Sequence, residues 1–380
     1  MKLVFALMLV LFLAAAASAT AQGGGAKYEN FSIPGALTAP LSGSYALPGT
    51  LVQDLNDGGQ VVGYYTANSS VPTRGFERNS NGKIALLDDP GAGTPISGGA
   101  STPAGTTPSA INISGVIVGS FATSVPVNEA FLLKPQGTFA NFFAPAGSYY
   151  TQAFSINSAG TITGRTGILG PNYLGVTYGF ILGPNGQTIT FQSPSASTSG
   201  FLNGTTSLSI NRSGDTTGYY YDANYIAHSY IRSADGTFTE FEVPGAGTNS
   251  YTGAWPIMID DSGNVIGFYY DNAFTSHPYI RLADGSFTQI TLPPGMNTQV
   301  FVNWVNRNGD FTGTYTDANG AFHTYVSLKN GHFLFFTDPE AGTSAMQGTV
   351  PVRINNAGQV AGYYIDANNV YHGFLWTIGD

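Results

Sequence analysis

The segment INNAGQVAGYYIDANNVYHGF, residues 354–374, contains a short pattern that recurs along the chain. An aliphatic residue is followed by Asn or Asp, two further residues, Gly, three residues and a second Gly. The turn Asn or Asp of the seven copies is residue 56, 112, 157, 211, 260, 306 or 355. The copies therefore stand 56, 45, 54, 49, 46 and 49 residues apart, a period near 50. Repeats of this length are typical of propellers and solenoids.

Each copy is predicted to form four short strands joined by tight turns. The Asn-x-x-Gly phrase favours a turn because Asn and Gly tolerate left-handed backbone angles and the Asn side chain can bond the backbone. A second turn follows, as at residues 317–320, and a third ends in Gly, as at Gly236. The fourth strand of copy four then alternates apolar residues up to Pro244. Four antiparallel strands joined by hairpin turns make one propeller blade.

The last copy has no room for a fourth strand, but a matching strand lies near the start of the chain. The third turn of copy seven falls at residue 380, the last residue of the sequence. Tyr28, Phe31, Ile33 and Pro34 match Phe238, Phe241, Val243 and Pro244 of copy four. We therefore predict an all-β fold, a seven-bladed β-propeller of four-stranded antiparallel blades, with residues 28–36 closing the last blade within one domain, residues 22–380.

Two other architectures are compatible with a repeat of this period. Seven sandwich-like modules on a string would leave both end copies incomplete. A parallel solenoid is disfavoured because the turns inside each copy are hairpin turns.

Residues 1–21 are predicted to be a secretory signal peptide. Lys2 precedes an apolar run from Leu3 to Leu13, and small residues with the spacing of a cleavage site follow. The run is too short for a membrane span of about 20 residues, so we expect a protein that is secreted or periplasmic, without a membrane span. The alternative is a buried N-terminal helix. Because the chain has no cysteine, the exported protein would be stabilised without disulfides.

The composition excludes several classes of protein. The chain has 50 Gly and 21 Pro, which argues against a helical bundle, and 13% aromatic residues, which argues against a disordered chain. Only 9% of residues are charged, against about 25% in an ordinary domain. With 13 Lys+Arg against 22 Asp+Glu, the net charge of −9 disfavours nucleic acid as a partner. We expect a monomer.

The repeat resembles a known bacterial family. The phrase from Ile354 to Tyr363, with His372-Gly373-Phe374 after it and Pro-Gly-Ala-Gly-Thr elsewhere, is similar to the HAF-repeat extracellular proteins. The resemblance covers residues 28–380 and is clearest in copies four to seven. In copies one to three, Arg74, Glu129 and Tyr178 stand at the His position. The resemblance implies an exported repeat protein with no established reaction, so it supplies no catalytic residue.

Four His–Asp pairs recur at one spacing, with Asp 11 and His 17 residues after the turn Asn or Asp. The pairs are Asp222/His228, Asp271/His277, Asp317/His323 and Asp366/His372. Such a pair can serve as an acid–base couple or as part of a metal site. One His and one Asp per blade are too few for a zinc site, however, and equivalent positions lie far apart. We interpret the pairs as hydrogen bonds across a hairpin turn, and we identify no catalytic residue, metal site or cofactor.

Candidate ligand-binding residues lie mostly near the longest connections. The segments entering copies one and two are 22 residues long from the closing Pro to the turn Asn, and copy three has a long second turn around residues 171–173. Binding residues are commonly found on loops of a rigid scaffold. The candidates are Tyr149, Tyr150, Tyr173 and Tyr178, Trp255 and Trp304 on central strands, and Arg353, which would attract an anion in the channel. For the aromatic residues, packing between blades is the alternative role.

These observations favour an exported, non-enzymatic propeller that binds a glycan or a protein through the loops of blades one to three. A hydrolase acting on extracellular polysaccharide is the second hypothesis. It would need two carboxylates converging on the ring centre, and Asp54 is the only acidic residue expected on a central strand. A structural protein of the envelope or matrix is the third hypothesis.

Overall fold

The computed structural model describes residues 27–40, 47–67, 73–93, 105–122, 128–145, 148–169, 175–198, 203–290 and 299–379. Within these ranges the protein is all-β, with 28 strands and no helix, as predicted. Consequently, the described residues contain no helix that is long and apolar enough to cross a membrane.

The strands follow the copies of the repeat in chain order. β1 (Lys27–Phe31) precedes the first copy, which contains β2 (Gly49–Leu55), β3 (Val61–Thr66), β4 (Thr73–Arg78) and β5 (Ile84–Leu87). Copy two contains β6 (Gly105–Ile111), β7 (Ile117–Ala122), β8 (Asn128–Leu133) and β9 (Phe139–Phe142). Copy three contains β10 (Tyr150–Ile156), β11 (Ile162–Leu169), β12 (Gly175–Leu182) and β13 (Thr188–Phe191).

The later copies repeat this order. Copy four contains β14 (Gly204–Ile210), β15 (Thr216–Tyr221), β16 (Ala227–Arg232) and β17 (Phe238–Phe241). Copy five contains β18 (Gly253–Ile259), β19 (Val265–Tyr270), β20 (Ser276–Arg281) and β21 (Phe287–Gln289). Copy six contains β22 (Val300–Val305), β23 (Phe311–Thr316), β24 (Phe322–Ser327) and β25 (Phe333–Phe336). Copy seven contains β26 (Gly348–Ile354), β27 (Gln359–Ile365) and β28 (Tyr371–Thr377).

Within each copy, consecutive strands pair in antiparallel order. Copy four is representative, with β14, β15, β16 and β17 forming one meander. Among the described residues, five of the junctions between neighbouring copies contain a single parallel pair, such as Ala227 of β16 with Gly253 of β18. These contacts link the strands into one 16-stranded and one 12-stranded sheet.

β1 pairs with β28 in the register that β17 has with β16. Phe31 lies opposite Gly373, as Phe241 lies opposite Ser229 in copy four. Gly373 and Ser229 both stand 18 residues after the turn Asn of their copies. The ring of Tyr28 packs 5.0 Å from that of Phe336. The strand near the start of the chain thus takes the fourth position beside the last copy.

The two glycines of the repeat have separate structural causes. Gly358 in the first turn of copy seven has a φ of +72°, a conformation that costs little only for Gly. Gly362 in β27 has no room for a side chain, because a Cβ there would lie 2.2 Å from the Val350 carbonyl oxygen and 2.8 Å from the Phe374 ring. The second Gly therefore allows close approach of the first strand and of a third-strand aromatic ring.

The core lies between the faces of neighbouring copies. Val62 of copy one, for example, packs in one cluster with Ile111 and Phe131 of copy two. All three side chains are fully or almost fully buried. Each copy thus buries its apolar faces against the next copy, as expected for repeats that cannot bury a core alone.

Candidate functional site

The turn residues of the repeat form a chain of hydrogen bonds around one end of the molecule, which we name the turn end. Each turn Asn donates its side-chain Nδ2 to the main-chain oxygen of the next turn residue. The bonds are Asn56 to Asn112 (3.0 Å), Asn112 to Asn157 (3.2 Å), Asn157 to Asn211 (3.0 Å), Asn211 to Asp260 (3.1 Å), Asn306 to Asn355 (3.0 Å) and Asn355 to Asn56 (3.1 Å). The last bond joins residues 299 positions apart.

Copy five interrupts this chain because Asp260 has no side-chain N–H to donate. Its Oδ2 instead accepts a bond from Asn264 Nδ2 at 2.8 Å. In copy four the direction is reversed, since Asn211 Nδ2 donates to Asp215 Oδ2 at 3.2 Å. Copy five therefore carries the Asn and the Asp of this pair in exchanged positions.

The turn end surrounds a cavity of about 140 Å³ that is lined by residues of all seven copies. An engineered apolar cavity of about 150 Å³ holds one benzene molecule, so this cavity is suited to a molecule of about one six-membered ring. Trp304 and Arg353 both contribute to its wall.

Arg353 is held between a carboxylate and an aromatic ring. Its Nη1 lies 2.5 Å from Asp54 Oδ1, and its guanidinium carbon lies 3.7 Å from the centre of the Trp304 ring. Asp54 also accepts bonds from the backbone N–H groups of Leu55 and Ile111, each at 2.8 Å. Burial raises the pKa of Asp54, and the charge of Arg353 opposes this shift. The three side chains come from copies one, six and seven.

The mouth of the cavity is polar and its charges are paired. Arg307 Nε lies 3.0 Å from Asp261 Oδ2, and Arg307 Nη1 lies 3.8 Å from Asp57 Oδ2. Asp261 also pairs with Arg212 at 3.6 Å. Asn356 Nδ2 donates to Asp57 Oδ2 at 2.6 Å. The mouth thus presents alternating charges rather than a field of one sign.

The opposite end of the first strands carries six aromatic rings in contact, which we name the aromatic cluster. Its members are Tyr219, Tyr221, Trp255, Phe268, Tyr270 and Phe301. Trp255 lies at the centre, with ring centroids 5.8 Å from Phe268, 5.5 Å from Tyr270 and 6.5 Å from Tyr219. Phe268 continues the cluster to Phe301 at 5.4 Å. All six side chains are partly exposed.

The strand pairing explains why these rings meet. Trp255 near the start of β18 lies directly opposite Phe268 near the end of β19. The equivalent pair is Gln152 and Arg165 in copy three, and the two side chains bond at 2.7 Å. Arg165 also lies 5.9 Å from the centre of the Tyr150 ring. One register position is therefore aromatic in copy five and polar in copy three.

The candidate residues from the sequence divide between the two ends. Trp304 and Arg353 lie together at the turn end, and Trp255 lies in the aromatic cluster. Tyr149 is 41% exposed and packs edge-on against Tyr150, whose hydroxyl bonds Thr177 Oγ1 at 2.8 Å. Tyr178 is half-buried on β12, and Tyr173 lies outside the described residues.

Sequence reasoning missed most of the aromatic cluster. Tyr219, Tyr221, Phe268 and Tyr270 all follow the second Gly of the repeat, in the phrases GYYY and GFYY. The same phrase supplies buried tyrosines such as Tyr220. The alternation of positions along the second strands could have identified these residues, because every second residue of a strand lies on the same face of the sheet.

The members of each His–Asp pair are in contact within one hairpin, and the His277/Asp271 and His372/Asp366 contacts are hydrogen bonds. The His Nε2 to Asp Oδ2 distances are 3.6 Å for His228/Asp222, 3.0 Å for His277/Asp271, 3.4 Å for His323/Asp317 and 3.4 Å for His372/Asp366. Each imidazole also stacks on a second-strand Tyr, as His228 does on Tyr220 at 5.1 Å. No group of three His, Asp or Glu side chains suited to a metal ion occurs among the described residues.

His228 has a further partner. Its Nδ1 lies 2.6 Å from Glu242 Oε1, and this contact raises the pKa of His228 above its usual value, with a smaller contribution from Asp222. The equivalent nitrogen of His372 contacts the hydroxyl of Ser32 at 2.9 Å instead.

Comparison with solved structures identifies the fold. The β-propeller domain of the Trilobed protease from Pyrococcus furiosus aligns with a TM-score of 0.53 and 11% identity, over 86% of this chain and 95% of that chain. The chain has a β-propeller fold. A streptogramin B lyase structure aligns with a TM-score of 0.51 and 13% identity, over 92% of this chain and 97% of that one. Neither a protein-family model nor a curated protein matches the sequence.

Proposed function

We propose that the protein is an exported, non-enzymatic propeller that binds a glycan on the aromatic cluster. The observation that supports this proposal is the contact of six partly exposed rings centred on Trp255. Aromatic faces pack well against the apolar C–H face of a sugar ring, while tyrosine hydroxyls supply hydrogen bonds. Arg165, which is near enough to Tyr221 for its charge to act on that hydroxyl, and its partner Gln152 add polar groups beside the cluster.

The connections of blades one to three are proposed to border this glycan site. A first strand begins, and a second strand ends, at the end of the blade that carries the aromatic cluster. The connections that enter first strands and the turns that follow second strands therefore reach the same end. Tyr150, the first residue of β10, lies where such a connection enters a first strand. Residues 41–46, 94–104 and 170–174 of these connections lie outside the described residues.

We further propose that the propeller is one ring of seven four-stranded blades, closed by β1. Two contacts support this count. The turn-end hydrogen bonds pass from copy seven back to copy one through Asn355 and Asn56. In addition, β1 pairs with β28 in the register of a fourth strand. A closed ring leaves no unpaired sheet edge between the first and last copies.

Export and the HAF-repeat relationship belong to the same proposal. The basic residue, apolar run and small residues of positions 2–21 support cleavage by a signal peptidase. N-terminal sequencing of the protein recovered outside the cytoplasm should begin after residue 19 or 21. An uncleaved N-terminus on the exported protein would contradict the proposal.

Glycan-array screening of the purified protein, followed by calorimetry on the best ligand, tests the binding site. Trp255→Ala should weaken glycan binding at least tenfold, because it removes the central ring of the cluster. Trp304→Ala is the matched control, since Trp304 lies at the turn end, and it should change the affinity less than threefold. Equal affinity of the Trp255→Ala variant and the original protein would refute the site.

The same preparation separates the other hypotheses. Release of reducing sugar from a bound polysaccharide would show a hydrolase and contradict the non-enzymatic proposal. An array without any bound glycan would favour a protein ligand or a structural role. Light scattering should give the mass of a monomer.

A further inference from the structure

The cavity at the turn end has a binding feature that the proposed glycan site does not use. Asp54 is 2% exposed, and its two oxygens accept the N–H groups of Leu55 and Ile111 in addition to contacting Arg353. The carboxylate is thus fully occupied by groups of the protein. It fixes the guanidinium from one side.

Arg353 is only partly occupied. A guanidinium has five N–H donors, and its Nη1 faces Asp54. Among the described residues Asp54 is its only carboxylate partner, and the side chain remains 26% exposed on the cavity wall. Stacking on Trp304 holds the plane of the Arg353 guanidinium in one orientation. A fixed guanidinium with a free edge is suited to bidentate binding of an oxyanion, with little ordering cost.

The other charges around the cavity do not repel an anion strongly. The carboxylates of Asp57 and Asp261 pair with Arg307, and Asp261 also pairs with Arg212. The side chain of Asp260 accepts bonds from Ser262 N, Asn264 N and Asn264 Nδ2. Each acidic group at the mouth is therefore engaged by a neighbour, whereas the Arg353 guanidinium has one carboxylate partner and is partly exposed on the cavity wall.

The volume and the lining limit the size and character of the ligand. About 140 Å³ is close to the volume that holds one benzene ring. The lining also includes the aliphatic residues that precede the turn Asn, such as Ile156, Ile210 and Ile354. A small molecule that is apolar at one end and anionic at the other matches this combination.

We propose that the turn-end cavity binds a small organic carboxylate of about one six-membered ring, with the carboxylate on the free edge of the Arg353 guanidinium. This site is separate from the proposed glycan site and does not depend on it. It also gives Trp304 and Arg353 a joint role, because the indole orients the group that binds the ligand.

Benzoate is the probe for this proposal, with benzamide as its neutral counterpart and inorganic phosphate as a non-organic oxyanion. Calorimetry on the full chain should show saturable benzoate binding at one site per molecule. Benzamide should bind at least tenfold more weakly than benzoate, since it lacks the charge. Absence of benzoate binding, or tighter binding of phosphate than of benzoate, would overturn the proposal.

Two variants locate the bound carboxylate. Arg353→Gln should weaken benzoate binding at least tenfold and leave benzamide binding unchanged. Because this change leaves Asp54 buried without its charge partner, Asp54→Asn/Arg353→Gln serves as a second variant with the same expected loss. Arg307→Gln, at the mouth, should alter benzoate affinity less than threefold. Undiminished benzoate binding by both Arg353 variants would refute the site.

The glycan site and the carboxylate site can fail independently. Trp255→Ala should leave benzoate affinity within threefold of the original value, because the ring lies at the other end of the first strands. Loss of benzoate binding in this variant would show that the probe binds the aromatic cluster, and would contradict the turn-end site.

Discussion

The two ends of the first strands belong to the same repeat but differ in how closely their residues match from copy to copy. At the turn end, six of seven copies place an Asn whose amide bonds the next copy. At the other end, equivalent positions change from Gln152 and Arg165 in copy three to Trp255 and Phe268 in copy five. Repetition in six of seven copies thus accompanies a structural contact, and variation accompanies the surface that we propose for glycan binding.

The difference also separates the two roles experimentally. Substitutions that remove the turn-end Asn hydrogen bonds should lower the free energy of unfolding and leave glycan binding intact. Changes to the exposed rings should weaken glycan binding.

The largest effect is expected from removal of β1. This change tests whether the turn-end contacts alone can hold the last copy in place. Deletion of residues 23–36 should lower the free energy of unfolding by about 5 kcal/mol or more, since it removes the buried Ile33 and the packed Tyr28 and Phe31. Thermal melting followed by circular dichroism measures the loss. Deletion of residues 23–26 leaves β1 whole and is the control. An unchanged melting temperature in the longer deletion would refute closure by β1.

The second effect concerns the bond that joins copy seven to copy one. Asn355 donates to Asn56 O and Gln359 Oε1, and it accepts from Ala357 N and Gln359 N. Asn355→Ala should therefore cost about 2–3 kcal/mol in urea unfolding. Asn355→Asp keeps the accepting oxygen and should cost about 1 kcal/mol. Equal stability of the alanine variant and the original protein would show that the contact is dispensable.

The third prediction concerns a double substitution that should restore the missing turn-end hydrogen bond of copy five. Asp260→Asn/Asn264→Asp recreates the arrangement of Asn211 and Asp215, and the new amide can donate to Asn306 O. We expect a gain of about 1 kcal/mol in urea unfolding. The net charge is unchanged, so the gain would not come from overall charge.

Asp260→Asn alone is the matched control for this exchange. It would place two amide NH₂ groups against each other, because Asn264 Oδ1 already accepts the N–H of Ala283 at 3.0 Å. We expect no gain from the single change. A gain from the single change equal to that of the double change would contradict the exchanged-pair explanation.

The smallest effect is a pH dependence at His228. Because Glu242 raises its pKa in the folded state, protonated His228 adds stability that is complete below the unfolded-state pKa of about 6.5 and is lost as pH rises through the folded-state value. Glu242 is 66% exposed, so the contribution should be only a few tenths of a kcal/mol. NMR titration should show a higher pKa for His228 than for the Glu242→Gln variant. The same pKa in both proteins would refute the contact.

The sequence anticipated the fold in some detail. The Asn-x-x-Gly phrases predicted the first turns, since Gly358 requires a positive φ and Gly362 requires close approach of β26. The spacing of Asp and His predicted the hairpin contacts, because both residues lie within one local turn. These features depend on neighbours along the chain, which a repeat period reveals.

The candidate sites could be predicted only in part. Trp255, Trp304 and Arg353 were candidates from their places on central strands. That Arg353 stacks on Trp304 and pairs with Asp54 depends on contacts between copies seven, six and one. The sequence separation of Asp54 and Arg353 is about 300 residues, so no local pattern connects them.

By itself, the sequence determined the all-β class, the strand order within each copy and the positions where only Gly fits, because these follow from local backbone geometry and the repeat period. Tertiary structure alone decided that Asn355 reaches Asn56, that Arg353 is fixed on a cavity wall and that six rings meet around Trp255. The physical reason is that these contacts form between blades. Their partners are set by how the blades pack around the axis, which no single copy of the repeat encodes.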